Sequence, residues 1–157
     1  CGVIAGPWQM GKVDQGFIAL WAARHLFGGA LAYTGFGGEG VQVRDVLHVD
    51  DLSDLVRLQI AAIGRLRSGV FNVGGGPGNS VSLAELTTRC RERGEHHRTI
   101  AGRPETTPAD IPWYVSDNTA VERATGWRPA RSVDRLLDDV FAWLRAHRSD
   151  LEPILAG

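Results

Sequence analysis

The sequence VQVRDVLHVDDL, residues 41–52, decides the fold class of this protein. Residues 41–49 favour an extended strand, because valine and leucine dominate them. Asp50 or Asp51 can then cap a helix, predicted over about residues 52–66, by accepting a hydrogen bond from a free amide of its first turn. The apolar face of this helix consists of Leu52, Leu55, Leu58 and Ala62. A buried strand that passes directly into an amphipathic helix indicates an α/β fold.

The rest of the chain alternates in the same way between apolar strands and amphipathic helices. Ser82 and Glu85 form a capping box, in which each residue satisfies a free amide of the other at the start of a helix. Further helices are predicted at about residues 15–27, 83–93 and 119–125, and a last one from Ser132. Further strands are predicted at residues 1–5, 30–34, 70–73, 97–101 and 113–115. The alternation predicts α/β layers with some smaller β pieces.

Length and charge exclude several classes of protein. The chain has 157 residues, which suits one domain, and a net charge of −1, which gives no overall field for nucleic acid or an anionic membrane. Arginines interrupt every apolar run before it reaches the ~18 residues of a membrane span. Two cysteines and five scattered histidines provide neither a disulfide framework nor a zinc pattern. We therefore expect a cytoplasmic protein with no nucleic-acid or membrane partner.

The first five residues, CGVIA, predict a buried strand that is closed by Gly6-Pro7. A buried strand needs neighbours on both sides, and only one direction of chain can supply them here. We expect the chain to be part of a larger fold, with exposed strand edges that favour a homo-oligomer.

The glycine-rich stretch GFGGEG, residues 35–40, matches the letters of a dinucleotide-binding loop. That function requires a helix directly after the glycines, so that helix amides meet a pyrophosphate. Residues 41–49 are extended instead, which predicts a connection between strands. A second cluster at residues 74–78 has Asn79 in place of the third glycine.

Cys90 and Arg44 are the other candidates for chemistry. Neighbouring arginines could lower the pKa of the Cys90 thiol, but a solvated helix face is the preferred interpretation. Arg44 stands in an extended apolar stretch, where an unpaired charge is costly. Its partner is a carboxylate of Asp45, Asp50 or Asp51 if the role is structural, and a phosphate if it is functional. The planar fork of arginine suits a diphosphate.

Six short motifs in fixed order resemble the extended short-chain dehydrogenases/reductases that act on sugar nucleotides. They are CGVIAGPWQ at residues 1–9, DQGF at 14–17, VRDVLHVDDL at 43–52, FNVGGG at 71–76, YVSD at 114–117 and GW at 126–127. Within that family they are most similar to the CDP-paratose 2-epimerases, also called CDP-tyvelose epimerases. The resemblance implies an α/β fold that combines the carboxyl-terminal part of a Rossmann-like doubly wound sheet with a small mixed α/β substrate-binding domain.

The resemblance also implies which residues face the substrate. Arg44 matches an arginine beside the nucleotide's phosphate and ribose, and Tyr114 matches an aromatic beside the nucleotide. Gln9, Asp14 and Gln15 match the loop that lines the sugar and diphosphate pocket. These residues are the predicted substrate contacts.

One substrate contact of the family is replaced here. Relatives often carry an arginine three residues before the position of Asp110, where this chain has Thr107. Arg103, four residues before Thr107 in a proline-rich loop, is a further candidate for the diphosphate.

Cys1 and Ile4 match the strand that passes the nicotinamide of NAD.

The family's remaining motifs are not found in residues 1–157. A G-x-x-G-x-x-G loop and a Tyr-x-x-x-Lys pair are missing, since Tyr33 is followed four residues later by Gly37 and Tyr114 by Asn118. The resemblance thus implies the substrate-binding half of an NAD-dependent enzyme, including late Rossmann strands, with no catalytic residue of its own. The NAD-binding amino-terminal half, or a complementary chain, would be its partner.

Three functions are open at this point. The first is C2 epimerisation of a CDP-linked dideoxyhexose through a keto intermediate, as in the most similar relatives. The second is a 4-epimerase or 4,6-dehydratase acting on another nucleotide sugar. The third is a truncated, non-catalytic remnant that binds a nucleotide sugar or a partner protein.

Overall fold

A computed structural model describes residues 1–10, 16–66, 69–97 and 99–156. The strands are β1 Val3–Ala5, β2 Ala32–Thr34, β3 Val43–His48, β4 Ser80–Ser82, β5 Ala101–Arg103 and β6 Trp113–Tyr114. The helices are α1 Phe17–Phe27, α2 Val49–Ala61, α3 Leu83–Arg93, α4 Thr119–Thr125, α5 Val133–Ala146 and α6 Arg148–Leu155. The predicted alternation of strands and helices is confirmed.

Strand β3 is the centre of the larger sheet. Its second half pairs in parallel with β1, where Val3 lies opposite Val46. Its first half pairs antiparallel with β4 and parallel with β6. A smaller sheet consists of the parallel pair β2 and β5. Strand β3 therefore connects the first strand of the chain to the segments that follow α2 and β5.

Two hydrophobic clusters hold these sheets. The larger one packs α1, α3, α5 and α6 together, and Ile18, Leu26 and Leu144 are fully buried within it. The smaller one packs α2 and α4 around Leu47 and Trp127. The indole Nε1 of Trp127 also donates to the carbonyl oxygen of Asp51 at 2.9 Å.

The junction between β3 and α2 differs from the prediction. The helix begins at Val49, and the buried His48 is its cap, because His48 Nδ1 accepts a hydrogen bond from the Asp50 amide at 3.0 Å. Asp50 and Asp51 lie in the first helical turn, so the prediction that one of them caps the helix is wrong. Their negative charge there interacts favourably with the helix dipole.

The predicted strand at residues 70–73 is also wrong. Val70 is fully exposed, and the described residues place a single backbone hydrogen bond on this segment, from the Gly2 amide to the Val73 carbonyl at 2.7 Å. A strand requires a ladder of such bonds along its edge. Gly2 is the one described residue that forms a backbone hydrogen bond with residues 70–73.

Smaller corrections concern the second half of the chain. The strand predicted at residues 97–101 lies at Ala101–Arg103, where the parallel pairing with β2 decides its position. The helix that begins after Ser132 is not the last, since α6 follows it. The glycine-rich residues 35–40 form a turn between β2 and β3, as predicted. None of the described helices is long and apolar enough to cross a membrane.

Candidate functional site

The guanidinium of Arg44 is held by backbone carbonyls. Its Nη1 donates to the carbonyl oxygen of Val43 and its Nη2 to that of Ile111, both at 2.8 Å. An arginine has five N–H donors, so these two bonds leave others for a ligand. The side chain is half-buried and is fixed between β3 and the segment that leads into β6.

The carboxylates proposed as structural partners of Arg44 are engaged elsewhere. Asp45 is fully buried, and its Oδ2 accepts from the Gly76 amide at 3.1 Å. Asp51 lies 2.6 Å from Arg131, which also reaches Asp50 at 3.9 Å. In the described part of the chain no carboxylate forms an ion pair with Arg44. Of the two alternatives for Arg44, the structural one, in which it pairs with Asp45, Asp50 or Asp51, is therefore excluded among the described residues.

A cleft of about 270 Å³ opens beside Arg44. Its other lining residues are Phe17, Gln42, Val81, Leu83 and Asp110. Val81 of β4 lies directly opposite Arg44, so the two side chains share one face of the sheet. The cleft thus combines one cation and one carboxylate with three apolar side chains.

Tyr114 lies on the other neighbour of β3. It is the register partner of Arg44 in the parallel pair with β6, so its side chain leaves the sheet on the same face as that of Arg44. Tyr114 is 39% exposed, which leaves a surface for a flat ligand group. Of the predicted substrate contacts, the structure places Arg44 and Tyr114 side by side.

Asp110 is fixed at the cleft by a short turn. Its Oδ2 accepts a hydrogen bond from the Thr107 hydroxyl at 2.9 Å, and the Asp110 amide donates to the Thr107 carbonyl at 3.0 Å. Thr107, at the position where the family resemblance predicts an arginine, positions the carboxylate and adds no positive charge.

The remaining predicted substrate contacts lie elsewhere. Gln9 Nε2 donates to the carbonyl oxygen of Ile4 at 2.9 Å, and Gln9 does not line the Arg44 cleft among the described residues. Arg103 is in strand β5, opposite Thr34, rather than in the predicted loop, and it is exposed. Asp14 and Gln15 lie outside the described residues. Their assignment to the substrate stays a prediction.

The two predicted NAD contacts differ in exposure. Cys1 is exposed, and Ile4 packs against the smaller hydrophobic cluster around Leu47. Their assignment to the cofactor stays a prediction.

Cys90 is excluded as a reactive thiol. It is fully buried on α3, and burial raises the pKa of its thiol to about 12. The solvated helix face expected for it is wrong, because the exposed neighbours belong to the other side of the same helix. The positive charge of Arg93 lowers the pKa of this thiol, but by less than burial raises it.

A buried polar cluster underlies the start of β1. The carboxylate of Asp45 lies against the backbone of Gly2 and Gly74, where an added Cβ would lie 2.8 Å and 2.2 Å from its oxygens. Asn118 binds both the amide and the carbonyl of Gly74, at 3.0 and 2.8 Å. The hydroxyl of Ser116 also lies here and has no hydrogen-bond partner among the residues that the structure describes. The cluster fixes the glycine turn that follows Val73.

A larger cavity of about 830 Å³ lies away from Arg44. It is lined by residues 75–79, 115–119, 122 and 128–132. Its two arginines are already paired, Arg128 with Glu122 and Arg131 with Asp51 and Asp54. None of the predicted site residues lines it, and we place the candidate site at the smaller cleft because Arg44 retains free donors there.

Sequence reasoning missed the five residues that line the cleft besides Arg44, which are Phe17, Gln42, Val81, Leu83 and Asp110. Phe17 belongs to the motif at residues 14–17 and to a predicted helix, and Gln42 belongs to a predicted strand, but neither was predicted to contact the substrate. Asp110 had a signal, since its position is a reference point of the family motif, although no role was assigned to it. Gln42 had a weaker signal, because it precedes Arg44 by two residues and therefore shares its face of a strand.

No family model matches the chain. Curated relatives do: the chain is 27% identical to the CDP-paratose 2-epimerase of Salmonella typhi, over 88% of this chain and 41% of that protein. It is 34% identical to the UDP-glucose 4-epimerase of Yersinia pestis, over 67% of this chain and 30% of that protein. The chain thus spans less than half the length of these relatives.

Solved structures give the same result for the fold. The UDP-glucose 4-epimerase of Thermotoga maritima with UDP-glucose superposes with a TM-score of 0.77 at 24% identity, over 94% of this chain and 45% of that one. The Thermus thermophilus enzyme with NAD gives 0.73 at 25% identity, over 92% and 44%. The predicted fold class, part of a Rossmann-like sheet with a small mixed α/β domain, is confirmed.

Proposed function

Since this chain belongs to the extended short-chain dehydrogenase/reductase family of nucleotide-sugar epimerases and dehydratases, we propose that it is the nucleotide-sugar-binding part of such an enzyme. Residues 1–157 form the substrate-binding half with the late Rossmann strands, and the NAD-binding half is a separate partner or segment. The observation that carries the proposal is the guanidinium of Arg44, which lines a cleft. It keeps N–H donors that make no hydrogen bond and has no carboxylate partner among the described residues.

The ligand chemistry follows from the cleft. A guanidinium binds two phosphate oxygens at once, and charge-assisted bonds of this kind contribute about 1.5–3 kcal/mol each when they are partly desolvated. Tyr114 adds an aromatic surface on the same face of the sheet. A nucleotide sugar combines a diphosphate, which suits Arg44, with a base whose flat surface suits Tyr114.

For the reaction, we propose C2 epimerisation of a CDP-linked dideoxyhexose, because the similarity to CDP-paratose 2-epimerase covers 88% of this chain. The alternative is a 4-epimerase or 4,6-dehydratase on another nucleotide sugar. It is favoured by the higher identity to UDP-glucose 4-epimerase, 34%, over a shorter stretch.

The cofactor of the complete enzyme is NAD. When bound, its nicotinamide supplies a reversible hydride acceptor for a sugar carbon. The described residues do not form a dinucleotide cradle by themselves, since residues 35–40 lead into β3 rather than into a helix whose amides could meet a pyrophosphate. We therefore assign the cradle to the partner half, with Cys1 and Ile4 at its boundary.

Calorimetric titration with CDP tests the role of Arg44. Arg44→Ala should weaken binding by about tenfold or more, because one decade corresponds to ~1.4 kcal/mol. Arg44→Lys should recover only part of the affinity, since a point charge cannot engage two oxygens in one plane. Arg57→Ala is the matched control, because Arg57 is an exposed arginine on α2 outside the cleft.

A melting curve of each variant separates binding from folding. If Arg44→Ala is folded and binds CDP as the unsubstituted chain does, Arg44 has no role in the ligand site. The same titrations with UDP and dTDP compare the proposed nucleotide with those of the alternative reaction.

A further inference from the structure

The glycine-rich turn between β2 and β3 contains a residue in an unfavourable conformation. Phe36 has a φ of 49°, in the left-handed region that a residue with a Cβ rarely adopts. Such a conformation persists only where the surrounding contacts hold it, and it is often found beside a ligand site. The contacts of Phe36 therefore indicate what this conformation serves.

Phe36 and its neighbour bind a segment that is distant in sequence. The Phe36 amide donates a hydrogen bond to the hydroxyl oxygen of Thr106 at 2.7 Å, and the Gly35 amide donates to the carbonyl of Arg103 at 2.8 Å. A Cβ built on Gly35 would lie 3.8 Å from Oδ2 of Asp110, so the turn also lies against the later part of this segment. Two consecutive amides of the turn thus hold the end of β5 and the residues that follow it.

The segment at residues 104–111 is fixed by hydrogen bonds rather than by burial. Each of its residues is exposed, and none belongs to either hydrophobic cluster. Within the segment, the turn formed by Thr107 and Asp110 links Thr106 to Ile111. The carbonyl of Ile111 accepts the hydrogen bond from Arg44. A continuous series of contacts therefore runs from the Phe36 amide to the guanidinium of Arg44.

We propose that Thr106 is a positioning residue of the Arg44 cleft, and that the left-handed conformation of Phe36 serves to hold it. By fixing the segment, Thr106 keeps the Ile111 carbonyl beside Arg44. Without it, the described hydrogen bonds would attach the segment to the rest of the chain only at its two ends. The guanidinium would then lose an ordered partner, and ordering it again would oppose ligand binding. This inference rests on the proposed nucleotide site at Arg44.

Calorimetric titration with CDP tests the inference. Thr106→Val removes the hydroxyl and keeps the shape of the side chain, so it should weaken CDP binding about threefold to tenfold, the effect of ordering one side chain during binding. The melting temperature should change little, because Thr106 is exposed and water replaces the lost bond. Thr106→Ser keeps the hydroxyl and should bind CDP as the unsubstituted chain does. Thr88→Val is the matched control, because the exposed Thr88 hydroxyl donates to the Ala84 carbonyl on α3, outside the cleft.

A measurement without ligand isolates the positioning of Arg44. In nuclear magnetic resonance, rotation of the Arg44 guanidinium about its Nε–Cζ bond should be slow in the unsubstituted chain, because two hydrogen bonds restrict it. Thr106→Val should accelerate this rotation, and Thr106→Ser should not. The exposed Arg57 on α2 should behave alike in all three proteins.

A second measurement needs no variant and is therefore independent of folding. Coupling between two sites is reciprocal, so bound CDP should favour the bond between Phe36 and Thr106 if that bond favours CDP. Hydrogen exchange of the Phe36 amide should therefore slow about threefold to tenfold when CDP is added to the unsubstituted chain. The Gly126 amide, which is bonded to Glu122 at the end of α4, should be unaffected.

Each contrary result has a distinct meaning. Unchanged rotation of Arg44 in folded Thr106→Val would overturn the positioning role. Faster rotation with unchanged CDP affinity would overturn the inference as well, since the segment would then move without effect on binding. Absence of CDP binding by the unsubstituted chain, with faster rotation in Thr106→Val, would overturn the proposed nucleotide site and support the positioning of Arg44.

Discussion

Replacing Gly74 with alanine should destabilise the protein strongly, although the substitution adds a single methyl group. The new Cβ would lie 2.2 Å from Asp45 Oδ2 and 2.4 Å from the Ser116 hydroxyl, so either the side chains or the backbone must move. The backbone is held in place by Asn118, which binds both polar groups of Gly74.

The magnitude follows from two contributions. Forcing a methyl group into a filled site costs about 1–3 kcal/mol. Moving the Asp45 carboxylate away also breaks its bond to the Gly76 amide, a hydrogen bond to a charged group that contributes about 1.5–3 kcal/mol. We expect Gly74→Ala to lower the free energy of unfolding by about 3–5 kcal/mol, which corresponds to a melting temperature lower by roughly 10 °C.

Urea denaturation followed by circular dichroism measures the effect. Gly78→Ala is the matched control in the same turn, because nothing lies within 4 Å of the Cβ that it would add. Adding Ser116→Gly to Gly74→Ala should recover part of the loss, since it removes one of the two clashing side chains. A loss of less than about 1 kcal/mol for Gly74→Ala would show that the cluster relaxes freely, which would refute the reasoning.

Two further predictions concern single side chains. In the native protein a thiol reagent should label the exposed Cys1 and leave Cys90 unlabelled until the chain unfolds, because burial raises the pKa of the Cys90 thiol to about 12; labelling of both at equal rates would contradict this. Hydrogen bonds from the Ser82 amide and hydroxyl lower the pKa of Glu85 below its ordinary 4.5, so its contribution to stability is present above that value and is lost as the pH falls through the lower folded-state pKa. The melting-temperature difference between the unsubstituted chain and Glu85→Gln should therefore shrink on acidification below about pH 4, whereas a constant difference would exclude this linkage.

Features that depend on neighbours in sequence were predictable. The capping box of Ser82 and Glu85 begins α3 as expected, and α3 ends at Arg93 as expected. The valine- and leucine-rich composition of residues 41–49 located β3, because strand propensity is a property of consecutive residues. Gly126 ends α4 with a left-handed backbone, which glycine adopts without strain.

Features that depend on distant segments were not predictable in the same way. The capping role of His48 requires the fold to place a buried imidazole ring where an aspartate was expected. The burial of Cys90 depends on how α3 packs against α1 and α5. Residues 70–73 have the composition of a strand but lack a ladder among the described residues.

The candidate site was predictable in part for the same reason. The sequence motif identified Arg44, but the carbonyl of Ile111 that holds its guanidinium lies 67 residues away. Gln42 could be placed on the same face, but its bond to the Thr34 carbonyl depends on how β2 approaches β3. The carbonyl partners of Arg44 and Gln42 are therefore a property of the folded chain.

The two carbonyl bonds of Arg44 have a thermodynamic consequence for the ligand. A free arginine side chain loses up to about 2 kcal/mol of rotamer entropy when it becomes ordered. Here the hydrogen bonds to Val43 and Ile111 order the side chain before any ligand arrives, so this entropy is lost when the chain folds and not when the ligand binds. The guanidinium therefore meets a phosphate as a rigid plane, and the affinity gained from it should carry a small entropic penalty and a slow rate of dissociation.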